Sequence, residues 1–79
     1  MEDIIVKIKD MIADIQPYIE FGDTTNLWEE EVLDSMSLLL LVQELEEEYG
    51  IAIDVEEVNT ENFADILHIA KLVVEKQKQ

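Results

Sequence analysis

A chain of 79 residues, 48% hydrophobic, has material for one thin core and none for a deep, walled active site, and it is too apolar to be a disordered acidic tail. The absence of Cys excludes disulfides, thiolate zinc sites and Cys nucleophiles together, while two Gly and one Pro are too few for a turn-rich β sandwich. The net charge of -15 is uneven: no positive residue lies between Lys9 and Lys71, an interval holding 17 of the 20 acids, so the surface repels nucleic acid and anionic membranes and suits basic protein patches or plain solubility.

From about Asp3 to Gln16, Ile4, Ile5, Ile8, Met11, Ile12 and Ile15 recur within roughly 120° of a helical wheel, which predicts one buried stripe. Val6 lies outside it. Pro17 disfavours helical geometry at Gln16 and ends the helix there. Residues 17–34 form a long connection with Gly22, Asp23, Thr24, Thr25 and Asn26 as turn formers, and Tyr18, Ile19, Phe21, Leu27 and Trp28 are expected to pack it. Trp28 reads as a cover for the core.

A second helix is predicted over Ser35–Tyr49, ended by Gly50. Leu38, Leu41, Val42, Leu45 and Tyr49 make its core face. The opposite face carries Met36, Leu39, Leu40, Gln43 and Glu47, flanked by Glu44 and Glu46. Either the long loop covers the apolar part of this face, or it is a docking surface. Ile51 and Ile53 mark an extended link. Asp54 and Glu57 resemble a capping box before a short helix over roughly 55–59. Phe63 is expected to point inward, and Asp65 to cap a last helix from Ile66 to about Lys76 that buries Ile66, Ile69, Ala70 and Val73. The fold class is all-α: a small bundle of three main helices plus a short one, residues 1–79 forming one domain.

The chemistry these residues permit is narrow. Glu29–Glu31 and Glu46–Glu48 match no calcium-loop spacing and read as solvated acidic faces, so no metal site is expected. A serine nucleophile needs a positioned base and an oxyanion hole, and nothing brings the single His, His68, to Ser35. No catalytic residue is expected. Met1-Glu2-Asp3 lacks the basic start of a signal peptide. The longest apolar run, Leu38 to Val42, is far short of the ~20 residues that cross a bilayer. The expectation is a cytoplasmic protein without membrane insertion. At the start of the second helix, Asp34 or Ser35 is on position alone simply an N-cap. A hydroxyl there is also exposed and available for attachment.

The run Leu27-Trp28-Glu29-Glu30-Glu31-Val32-Leu33-Asp34-Ser35-Met36 resembles the attachment motif of the acyl carrier protein family. Leu45-Glu46-Glu47-Glu48-Tyr49-Gly50-Ile51 and Glu61-Asn62-Phe63-Ala64 resemble the family further along the chain. The resemblance extends from the first helix to about Val74. It implies an acyl-carrier-like bundle with 4'-phosphopantetheine, donated by coenzyme A, covalently attached to Ser35. It implies a non-catalytic monomer that presents acyl groups as thioesters in fatty-acid, lipid or secondary-metabolite biosynthesis. The implied partners are a phosphopantetheinyl transferase and acyl- or aminoacyl-loading and acyl-using enzymes with basic patches. They would meet Asp34, Met36, Leu39, Leu40, Gln43, Glu44 and Glu47. The alternatives are a D-alanyl or aminoacyl carrier, or an unmodified acidic adaptor of the same fold. Three departures stand out: Met36 replaces the usual Leu, Glu31 stands where many relatives have Gly and implies a different turn, and Leu40 replaces a common acid.

Overall fold

The isoleucine stripe winds into α1, Glu2–Ile15, in a computed structural model that describes residues 2–79. Ile8, Met11 and Ile12 are buried along it, and Ile4, Ile5 and Ile15 pack half-buried against the same core. Val6 is exposed, as its place on the wheel requires. The last helical bond runs from the Gln16 N–H to the Ile12 carbonyl at 2.8 Å. Pro17, which has no N–H to continue the ladder, follows directly.

α2 spans Ser35–Tyr49 and is closed at both ends by local chemistry. The extended Asp34 caps the start: its carboxylate accepts the Ser37 N–H at 2.8 Å. Gly50 ends it in the left-handed region at φ 61°, where a residue without Cβ escapes the steric penalty. The N–H groups of Gly50 and Ile51 both return to the Glu46 carbonyl. Leu38, Leu41, Val42 and Leu45 are buried, with Tyr49 half-buried beside them.

The short helix expected over 55–59 is a single 3-10 turn, Val55–Glu57. It stops early because the Val58 N–H bonds three residues back to Val55, and the Asn59 side chain takes the Glu56 carbonyl. Glu57 Oε1 accepts the Asp54 N–H at 3.0 Å, the acidic arm of the expected box. Phe63 is wholly buried ahead of α3, Ile66–Gln77. Asp65 caps α3 by accepting the His68 N–H. Leu72 joins Ile66, Ile69, Ala70 and Val73 in the core, so the buried arc of α3 is wider than the expected stripe.

Three helices and one 3-10 turn thus surround a single core, with no strand among the described residues. α1 packs against both α2 and α3 more extensively than these pack against each other.

The connection from α1 to α2 closes on its own apolar residues. Leu27, Val32 and Leu33 are buried in the core, and Ile19, Phe21 and Trp28 pack half-buried against that core. Tyr18, expected among these packers, is instead 98% exposed. It sits in the tight turn closed by the Ile19 N–H on the Gln16 carbonyl, where its side chain is turned to solvent. The Leu27 N–H reaches the Ala64 carbonyl at 2.8 Å and pins the loop to the segment ahead of α3.

Candidate functional site

The approach to Ser35 is built by one capped turn. Asn26 Oδ1 accepts the N–H groups of Trp28 and Glu29, and the Glu30 N–H closes an α-turn on the Asn26 carbonyl. Glu31 then takes φ 59°. Its N–H returns to Trp28 and that of Val32 to Leu27, the bond pattern that terminates helices through a left-handed residue. Leu27 and Val32 supply the accompanying apolar contact, both fully buried. Glu31 adopts the conformation that Gly favours.

From this anchor the chain runs through the buried Leu33 to the extended Asp34 and into α2. Ser35 is the first helical residue. It is exposed, and its hydroxyl has no hydrogen-bond partner among the described residues. Ser37, two positions on, is its opposite. It is 6% exposed, its Oγ accepts Gln16 Nε2 at 3.0 Å, and its N–H is held by Asp34. Hydrogen bonding by Ser37, through backbone first and side chain second, holds the Asp34 carboxyl below the usual carboxylate range. Capping accounts for Asp34 in local terms. Sequence reasoning passed over Ser37, whose only signal was its position two residues from the outward Ser35, on the inward side of the wheel.

The outer face of α2 is open. Met36, Leu39 and Leu40 are 69%, 61% and 45% exposed, so the long loop does not cover them. Gln43, Glu44 and Glu47 are exposed further along the helix. The other acids of this helix are committed elsewhere. Glu46, expected to flank this face, is half-buried and accepts the Ile53 N–H at 2.9 Å, bracing the link after α2. Glu48 pairs with Lys7 at 2.7 Å, and this pairing raises the Lys7 ammonium above its ordinary value. Glu44 and Glu47 line a shallow groove together with Asp10 and Asp14 of α1. Those two acids lie outside the set expected from the sequence, because their nearness to α2 exists only after packing.

The remaining charges serve the frame. Lys9 pairs with Asp23 at 2.7 Å. Lys76 reaches Glu57 at 2.9 Å, tying the end of α3 to the 3-10 turn; the contact raises the lysine and lowers the carboxyl. Burial pushes the Asp65 carboxyl up, but bonds from the His68 ring and backbone outweigh this and leave it lowered. His68 Nδ1 lies 2.7 Å from Asp65 Oδ1, so the one imidazole is engaged at the start of α3. Among the described residues no group of three or more His, Asp or Glu side chains is placed to hold a metal ion, and no helix is long and apolar enough to cross a membrane.

A family model described as the phosphopantetheine attachment site matches residues 6–73, nearly the whole of the three-helix frame. No curated protein and no solved structure matches the chain.

Proposed function

Because this chain belongs to the phosphopantetheine attachment-site family, whose domains carry 4'-phosphopantetheine covalently, we propose that Ser35 is the attachment residue of a non-catalytic acyl carrier. The observation that carries this reading is the contrast between two nearby hydroxyls. Ser35 is exposed and unpartnered at the head of α2, whereas Ser37 is buried and engaged by Gln16. An arm on Ser35 would lead directly into solvent, and one on Ser37 would have to displace the core. The first turn thus has the free hydroxyl that the group requires, held on a rigid, capped element.

When attached, the arm supplies a terminal thiol on which an acyl group is held as a thioester. The chain's own residues then hold and present it. Asp34 fixes the first turn of α2. The partner face is Asp34, Met36, Leu39, Leu40, Gln43, Glu44 and Glu47, with its apolar part nearest Ser35 and its carboxylates beyond. This arrangement fits a partner enzyme with an apolar seat and a rim of Lys or Arg. The partners are a phosphopantetheinyl transferase and the enzymes that load and use the cargo, in cytoplasmic lipid, fatty-acid or secondary-metabolite synthesis. Leu40, exposed where an acid is common in fatty-acid carriers, favours a specialised member, and an aminoacyl or D-alanyl cargo is the second reading.

The test is incubation with coenzyme A, magnesium and a broad-specificity transferase, followed by intact-mass measurement. One phosphopantetheine adduct is expected on the native chain and on Ser37→Ala, and none on Ser35→Ala. An unmodified native chain, or an adduct that survives Ser35→Ala, would overturn the assignment.

A further inference from the structure

Ser37 and Gln16 are joined across the whole α1–α2 connection. Gln16 Nε2 donates to Ser37 Oγ at 3.0 Å, and the Ser37 N–H donates to Asp34 Oδ1 at 2.8 Å. The chain Gln16–Ser37–Asp34 therefore links the last turn of α1 to the cap of α2, bridging residues that are 21 apart in sequence. Its middle member is 6% exposed, so the bond is shielded from competing water. Successive helical residues turn by about 100°, so a side chain two positions from Ser37 lies roughly opposite to it. Holding Ser37 inward is geometrically the same as holding Ser35 outward.

Three observations assign this link a positioning role beyond simple stability. First, the connection it closes is 18 residues long, from Pro17 to Asp34, and only its second half contributes fully buried side chains, Leu27, Val32 and Leu33. Second, the partners sit where both elements are weakest, at the last bonded residue of α1 and in the first turn of α2, where helices fray. Third, the two side chains use each other. The Gln16 amide donates to the buried Ser37 hydroxyl, so losing either side chain leaves the other's polar group in a half-buried place without this partner.

We propose that the Gln16–Ser37 hydrogen bond is a clasp that positions Ser35 for modification, by holding the first turn of α2 in the rotation that turns Ser35 outward. This rests on Ser35 being the attachment residue. Neither Gln16 nor Ser37 touches the reacting atoms; both act through the orientation of the turn.

A double-mutant cycle on the native chain tests it. Gln16→Met keeps the length and apolar stem of the side chain without the donor, and Ser37→Ala removes the acceptor while keeping a small inward group. The kcat/KM of phosphopantetheine transfer from coenzyme A is measured for both single variants and the double, well below the melting temperature, where the folded fraction is essentially complete. Each single variant should lose about 2- to 10-fold, the size of one neutral hydrogen bond, and the double variant should lose no more than the larger of the two single losses. A residue that only stabilises the fold would leave kcat/KM unchanged under these conditions. Unchanged rates, or losses that multiply in the double variant, overturn the clasp. Amide exchange at Ser37 and Leu38 gives a readout independent of modification: faster exchange confined to this turn is expected in all three variants. If the native chain takes no adduct, the attachment assignment fails, and exchange alone decides whether the clasp holds the turn; unaltered exchange there overturns it.

Discussion

Glu31 holds a backbone conformation that its side chain resists, at φ 59° immediately before the buried Val32 and Leu33. A left-handed residue with a Cβ costs roughly 1–2 kcal/mol, while Gly in its place would lose about 0.5–1 kcal/mol more conformational freedom on folding. Glu31→Gly is therefore expected to stabilise the protein by about 0.5–1 kcal/mol, raising Tm by about 2–6 °C for a domain of this size. Glu31→Ala, which keeps the Cβ and removes the charge, should change Tm much less. Thermal melts of the two variants separate strain from charge: a rise in Ala equal to that in Gly would place the effect on charge. The same turn explains why the loop can be long and still present a defined end. It is capped by Asn26, closed through Glu31 and pinned to Ala64, so Asp34 and Ser35 follow a fixed point.

At the scale of one helix, α2 divides its work between two faces. Its inner face buries Leu38, Leu41, Val42 and Leu45, and its outer face leaves Met36, Leu39 and Leu40 in water. Three large apolar side chains exposed together form the patch that the proposed partner would cover. The carboxylates of Glu44 and Glu47 beyond them are the ones that the structure leaves without a cation, since Glu46 braces the link and Glu48 holds Lys7. Reversing both charges, Glu44→Lys with Glu47→Lys, should weaken binding to a basic partner enzyme mainly through slower association, and the loss should shrink as salt rises. Leu40→Ala should weaken the same complex with little salt dependence. Association rates measured at low and high ionic strength distinguish the two. If charge reversal leaves affinity unchanged, docking is apolar and centred on Met36 and Leu40.

For the molecule as a whole, the net charge of -15 sits on a body whose extents are 34 × 25 × 19 Å. At 0.01 M salt the screening length is about 30 Å, so every carboxylate feels nearly every other; at 0.15 M it is about 8 Å and the repulsion becomes local. Three of the five lysines already sit in ion pairs, with Glu48, Asp23 and Glu57, and cannot offset this excess. Raising NaCl from about 0.01 to 0.15 M is expected to raise Tm, because relief of self-repulsion across the surface outweighs the weakening of two exposed pairs and one part-buried pair, Lys76–Glu57. A fall in Tm would assign the larger share to those pairs. The same excess opposes contact between two copies through the apolar face of α2 and favours partners of opposite sign.

Much of this organisation is legible along the chain because it depends on near neighbours. The isoleucine spacing of α1, Pro17 after its last turn, Asp34 and Gly50 bracketing α2, and Asp65 ahead of α3 are local rules of period and cap, and each element lies where they place it. The exposed serine at the head of α2 and the apolar face beside it follow from the same periodicity. Other features were settled only by packing. Gln16 and Ser37 meet across 21 residues, Lys7 and Glu48 across 41, and no local pattern brings either pair together. The tertiary structure decided which acids of α2 remain unpaired, committing Glu46 to the link and Glu48 to Lys7 and bringing Asp10 and Asp14 beside Glu44 and Glu47. It also decided that Glu31 bends as Gly would, because burying Leu27 and Val32 in one turn outweighs the strain of one residue. Sequence by itself determined where the helices lie and that an outward serine heads the second; only the packing of α1 against α2 gave its inward neighbour, Ser37, the Gln16 amide as a partner, because those two residues meet across a connection that no local rule spans.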